Sequence, residues 1–203
     1  NNILCIGEKE IISVDSITDD LKRAMAKYSG YELSLQQADE LAKIAFTKDD
    51  RGHYIPSRDL VGRNASVLAA KIGIKIGDDV RMLFAETPLD HPWVVGEQLM
   101  PMIPVVRVKD VWEGIEAAYK AEHRFHHTAC MHSRNIAALD KMAKRCRASV
   151  FVKNGPSYAG LAVSGEGYIS YTIATATGEG VTSARTFTRK RRCTLVGYFH
   201  IAS

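Results

Sequence analysis

The chain has 203 residues and a net charge of +4, with 46% hydrophobic and 25% charged residues, a balance that excludes a collagen-like repeat, wholesale disorder and a disulfide-held miniprotein. No apolar run approaches the roughly 18 residues needed to span a bilayer, so a soluble domain with no membrane partner is expected. Much of the positive excess sits in one stretch, Arg185 to Arg192, which argues against a globally basic surface.

Asn1 to Gly7 opens the chain without an initiator Met and runs almost at once into apolar residues. That beginning is expected to be an interior cut, since a natural terminus usually carries a few dispensable polar residues. Glu10 to Asp15 predicts a strand, followed by a helix to about Lys27 capped from among Ser16 to Asp19. Leu33 to Phe46 predicts a second helix with Ser34 as cap and Leu35, Ala38, Leu41, Ala42 and Ala45 on one face. Thr47 to Arg63, polar and carrying Gly52, Pro56 and Gly62, predicts a long surface excursion. A third helix over Ala65 to Ile72 should end at Gly73.

Beyond it the pattern alternates. Strands are expected at Val80 to Ala85, Pro104 to Val108, Thr128 to His132 and Ser149 to Val152, with helices at Val111 to Ala121 and Asn135 to Arg145 and a Pro-rich loop from Pro88 to Pro101. Strands joined by single helices give an α/β fold with a mainly parallel open sheet flanked by helices. Val163 to Ser183 predicts a Gly- and Thr-rich loop, and Thr194 to Ile201 a last β-rich segment.

Several groups are candidates for chemistry. His123, His126, His127 and His132 lie within ten residues, but no carboxylate or Cys completes a convincing ligand set, so no metal is expected. Gly165-Glu166-Gly167 and Gly178-Glu179-Gly180 would suit a phosphate cradle or a turn needing positive φ, and neither sits between a predicted strand and helix as a dinucleotide fingerprint requires. The run from Arg185 to Arg192 interleaves aromatic and basic residues, yet nothing else supports a nucleic-acid partner. Cys5, Cys130, Cys146 and Cys193 form no CxxC pair, which fits free thiols in a reducing compartment. Cys5, just before a strand, would sit on a turn at a sheet end.

Taken together, five ordered segments carry a resemblance. Asn1 to Glu10, with Cys5 at its centre, resembles the nucleophile segment of the CoA-acylating aldehyde dehydrogenases of bacterial microcompartments. Glu97 to Val105 is similar to the Glu-x-x-x-Pro-x-x-Pro motif of the wider aldehyde dehydrogenase superfamily. His126 to Ser133, Phe151 to Pro156 and Thr177 to Arg185 resemble later segments of the same subfamily.

The resemblance implies an aldehyde dehydrogenase catalytic domain over residues 1–184 and a basic segment with a C-terminal oligomerisation strand over 185–203. The NAD-binding domain, including one oxyanion-donor Asn, would lie before Asn1, leaving this stretch alone inactive. Cys5 would be the nucleophile, Glu97 the carboxylate on the nicotinamide ribose, and Leu99 a side chain packed near the nicotinamide. Leu4 and Ile6 would line the pocket for a short aliphatic acyl group. His126, Asn154 and the Gly178 to Gly180 turn match family segments without an individual role.

The implied reaction takes propionaldehyde or acetaldehyde with CoA and NAD to acyl-CoA and NADH through a cysteine thioester. A thiol nucleophile suits that chemistry because its thioester can pass to a second thiol, although an unperturbed Cys is only about 3% thiolate at pH 7. The resemblance also implies a homo-oligomer in the cytoplasm, within a microcompartment, in contact with shell or cargo proteins. Two other readings stay open: a superfamily relative that hydrolyses its acyl-enzyme or reduces an acyl phosphate, and a non-catalytic assembly module using its last strand and basic segment.

Overall fold

The computed structural model describes residues 3–165, 173, 181–194 and 196–197. In chain order its elements are β1 (Ile11–Val14), α1 (Asp15–Lys27), β2 (Gly30–Glu32), α2 (Leu35–Ala45), β3 (Phe46–Lys48), β4 (Tyr54–Pro56) and α3 (Ala65–Lys71). There follow β5 (Met82–Glu86), α4 (Pro92–Val95), β6 (Met102–Val108), α5 (Val111–Ala121), β7 (Thr128–Met131), α6 (Ile136–Cys146) and β8 (Val150–Lys153), with 3-10 turns at Ser157–Leu161 and Ala184–Phe187.

The central sheet is parallel throughout, in the order β1-β6-β5-β2, so the expected α/β class is what the chain adopts. Helices cover both faces, which is why its strands read as nearly continuous apolar runs. On one face Ile11, Phe84, Ile103 and Val105 pack with Leu21 and Met25 of α1. On the other, Leu83, Ala85 and Met102 meet α2, α3 and Trp93, while Ile12, Val14, Val106 and Val108 meet Ala117 and Ala121 of α5. β3 and β4 form an antiparallel hairpin and β7 and β8 a separate parallel pair.

Local rules account for much of this. Ser34 accepts from the Gln37 N–H at 3.2 Å while the Gln37 side chain accepts from the Ser34 N–H at 2.9 Å, a reciprocal cap that starts α2. Asp110 accepts from the N–H groups of Trp112 and Glu113, both at 2.9 Å, and so starts α5.

Four expectations change. α1 begins directly on β1, with Val14 at its cap and no side-chain cap bond; Thr18 instead donates to Val14 O at 2.9 Å. β2 was not anticipated from its three residues. Residues 47–63 are no simple excursion, since they complete the β3–β4 hairpin and bury Leu60. The Pro-rich stretch after Pro88 contains α4, with Pro92 at its first turn, and buries Trp93, Val94, Gln98 and Met100.

Most of Val163 to Ser183, including Gly178 to Gly180, lies outside the described residues, as do Leu195 and residues 198–203 of the expected last strand. Residues 188–194 have no regular structure, and the whole basic run is exposed. Among the described residues no helix is long and apolar enough to cross a membrane.

Candidate functional site

Cys5 and Glu97 stand at the same end of the sheet. β1 and β6 pair in parallel with Ile11 opposite Val105, so each strand's approach enters from its amino end. The site therefore lies at the amino ends of the strands, whereas ligands of open α/β sheets ordinarily gather at the carboxyl ends.

Cys5 occupies a tight turn closed by the Gly7 N–H on Leu4 O at 2.9 Å. It is exposed. Leu4 beside it is 60% exposed, whereas Ile6 is 3% exposed and packs among Val150, Val152 and Leu161. Of the two residues expected to line an acyl pocket, only Leu4 presents an open apolar surface; Ile6 anchors the turn from beneath. Glu8 secures its far side, accepting from the Ser157 N–H at 2.7 Å.

Glu97 is exposed on the approach to β6, and the backbone around it is closely held. Leu99 has φ +52, a left-handed conformation uncommon for a branched side chain, and its carbonyl accepts from the Gly62 N–H at 2.9 Å. Gly62 itself has φ +71, a left-handed conformation that favours glycine, and a Cβ there would displace the end of the exposed Ile3 side chain. Behind the loop, His91 Nδ1 accepts from the Trp93 N–H at 3.2 Å and its Nε2 faces Asp39 Oδ1 at 3.1 Å. Trp93 donates from Nε1 to Ala38 O at 3.0 Å and stands edge-on to Phe46, ring centroids 4.8 Å apart.

Two side chains tie the Cys5 approach to the Glu97 loop, and sequence reasoning assigned neither. Lys9 donates from Nζ to Val94 O, and to Gly96 O at 3.5 Å. Gln98, fully buried, returns its amide N–H groups to Lys9 O at 3.2 Å and to Trp93 O. Lys9 also pairs with Glu10 at 3.1 Å. Burial pushes the Glu10 carboxyl above its ordinary range against the pull of Lys9, and the carboxylates of Glu97 and Glu122 push the same way.

Two of the other three thiols are held protonated. Burial, aided by Glu8, raises Cys130 to about 11. Cys146 is likewise raised by burial, then by Glu122, to about 11, so neither is a thiolate near neutral pH. Cys193 is exposed in the basic segment.

Two of the clustered histidines, His126 and His127, take part in backbone pairing. His126 Nδ1 meets Cys146 O at 2.6 Å, and the carbonyls of His126 and His127 accept from Ser149 and Val150. Among the described residues no group of three or more His, Cys, Asp or Glu is placed to hold a metal ion. Asn154 extends the β7–β8 pairing, accepting from the Ser133 N–H at 2.7 Å and donating to Ser133 O at 3.0 Å. An open cleft of about 350 Å³ lies at the opposite, carboxyl end of β5 and β6, lined by Glu86, Arg107, Glu113 and Lys120 among others.

No family model matches the chain. It is 50% identical over 202 residues, 99% of its length and 43% of the relative's, to the acetaldehyde dehydrogenase (acetylating) EutE of Salmonella typhimurium. The structure matches a Rhodopseudomonas palustris propionaldehyde dehydrogenase with bound CoA and an acylated cysteine (TM-score 0.87, 41% identity, 96% of this chain and 44% of that one). It also matches a propionaldehyde dehydrogenase from the Clostridium phytofermentans fucose utilisation microcompartment (TM-score 0.88, 37% identity, 96% and 44%). The chain spans less than half the length of the curated relatives it matches. Over nearly its whole length the chain is thus similar, in sequence and in fold, to part of the CoA-acylating aldehyde dehydrogenases.

Proposed function

We propose that this chain supplies the acyl-transfer half of an enzyme that converts a short aliphatic aldehyde, CoA and NAD to acyl-CoA and NADH, with Cys5 as nucleophile. The observation that carries the reading is the exposed Cys5 turn on an approach that Lys9 and Gln98 bond to the Glu97 loop, in a chain half identical to an acetylating acetaldehyde dehydrogenase. NAD, when bound, supplies the hydride acceptor. An exposed carboxylate at Glu97 fits a ribose diol, because both hydroxyls can donate to it, and Leu99 beside it is the apolar neighbour of the nicotinamide.

The Cys5 thiolate attacks the aldehyde carbonyl, forming a C–S bond and breaking the carbonyl π bond to give the thiohemiacetal alkoxide. Departure of hydride from that carbon, to the acceptor that bound NAD would supply, re-forms the C=O bond and leaves a thioester on Cys5. Leu4 covers the short acyl chain. The CoA thiolate then attacks the thioester carbonyl, and Cys5 departs as thiolate, ready for the next aldehyde.

Residues 1–184 form the catalytic unit in this reading. Residues 185–203 serve contacts between copies of the chain or with shell and cargo proteins of a microcompartment, as the source of one structural neighbour suggests.

The test is peptide mapping after limited alkylation of protein expressed from the complete coding sequence. Cys5 should label first, and Cys5→Ser should abolish both aldehyde-dependent NADH formation and acyl transfer to CoA. Faster labelling of Cys193, or a Cys5→Ser enzyme that still turns over, overturns the assignment.

A further inference from the structure

We infer that Lys9 and Gln98 form a clasp that sets the distance between the nucleophile and the cofactor-holding carboxylate, making them positioning residues for hydride transfer. The inference rests on the proposed roles of Cys5 and Glu97. The bonds are reciprocal: Lys9, four residues after Cys5, reaches forward to Val94 O and Gly96 O, while Gln98, next to Glu97, reaches back to Lys9 O. Val94 O lies at the end of α4 and the carbonyls of Gly96 and Lys9 in the two approaches, and none lies inside a ladder of β1 or β6.

The two sides of the clasp are not equally secured elsewhere. Cys5 has its own anchors in Ile6 and Glu8. Glu97 is exposed and follows Gly96, whose carbonyl Lys9 holds. The loop behind it is fixed at Trp93, by the turn of α4 that bonds Val94, Val95 and Gly96 back to His91 and Pro92, and at Leu99, leaving Glu97 and Gln98 to the clasp. Opening the clasp should therefore displace Glu97 and leave Cys5 in place. Reactivity falls steeply with such displacement, since a shift of about 1 Å in a positioned reactant can cost on the order of a hundredfold in rate.

The experiment is a double-mutant cycle of Lys9→Met and Glu97→Gln in protein expressed from the complete coding sequence, with rates normalised to titrated thiol. NADH binding is followed by fluorescence. Wild type must first form NADH from propionaldehyde only when CoA is present; failure there overturns the functional reading and this inference with it. Given that activity, Lys9→Met should weaken NADH binding threefold or more and slow acyl-enzyme formation about tenfold. Transfer to CoA from an acyl-enzyme preformed with an acyl thioester should stay within twofold.

In the Glu97→Gln background the same change should add less than twofold, because the group it positions is already impaired. Lys9→Arg, which keeps the cation and its donors, should restore binding. Additive effects, or equal loss in both half-reactions, overturn the clasp as a positioning device. If Lys9→Met fails to fold, the pair Lys9→Met with Glu10→Gln, which leaves no lone buried carboxylate, is read by the same criteria.

Discussion

At the amino ends of β1 and β6, Lys9, Gln98 and Trp93 bind backbone carbonyls, two of the three side chains being fully buried. At the carboxyl ends of the same sheet, Arg107 binds carboxylates near the surface: Glu86 through two nitrogens at 2.7 and 3.0 Å, Asp15 at 2.7 Å and Asp19 at 2.6 Å. Lys22 extends that network to Glu86 at 3.0 Å and Glu32 at 2.9 Å. The first arrangement fixes loops that have no ladder of their own. The second pins α1 across strands the ladder already aligns. Changes at the amino end should therefore cost stability and activity, whereas changes at the carboxyl end should register mainly through pH and salt.

Trp93 gives the largest expected effect on stability. It is fully buried in the core under α2, and its ring N–H satisfies Ala38 O. Trp93→Ala should cost about 3–5 kcal/mol, measured by urea unfolding. Trp112, half exposed on the first turn of α5, is the control: its change to Ala should stay within about 0.5 kcal/mol. Equal losses at the two tryptophans would mean that the Pro-rich stretch does not support the loop or the core beneath it.

That contrast also shows what the sequence made legible. α5 has the bounds expected of it, Val111 to Ala121, and the structure adds its cap at Asp110. Ser34 was recognisable as a cap by residue type and position. β2 escaped notice because Gly30–Glu32 carries no apolar run; it becomes a strand through its register with Met82, Leu83 and Phe84, which only tertiary structure supplies. The stretch from Pro88 to Pro101 reads as a Pro-rich loop, although His91-Pro92 followed by Trp93-Val94 is the pattern of a capped, buried turn.

At the site, motif resemblance reached Cys5 and Glu97, but nothing marked Lys9 or Gln98. Their partners are carbonyl oxygens of Val94, Gly96, Trp93 and Lys9, groups every residue possesses. A lysine in a polar run reads as a solvated charge until the fold shows what it faces.

His91 sharpens the comparison by pH. Its Nδ1 accepts from Trp93 N–H, so the proton resides on Nε2, toward Asp39. Protonating Nδ1 would oppose a donor with a donor. Burial holds the group below its ordinary value of 6.5 despite the pull of Asp39. A depressed histidine is neutral when folded and takes up its proton first when unfolded, so its contribution is complete above about pH 6.5 and declines below it. His91→Asn keeps an acceptor for the cap but cannot titrate in that range. The wild-type urea midpoint should fall between pH 7.5 and 5.5 more steeply than that of the variant; parallel profiles would remove His91 from the loop's support.

The smallest effect is expected from the opposite end. Arg107, then Lys22, holds the Glu86 carboxyl down to about 2 from its ordinary 4.5. A depressed carboxylate contributes stability above its unfolded value, and that contribution is lost as pH falls from about 4.5 toward 2. Because Glu86 is a third exposed and Asp15 and Asp19 more so, water and salt screen much of the attraction. Melting curves of wild type and Glu86→Gln should differ by no more than a few degrees at pH 6 and low salt. The gap should narrow below pH 4.5, close as pH approaches 2, and shrink at 1 M salt, where the screening length is about 3 Å. If the gap is instead large and indifferent to salt, the Arg107 network belongs to the core, and the division between a buried amino end and a screened carboxyl end fails.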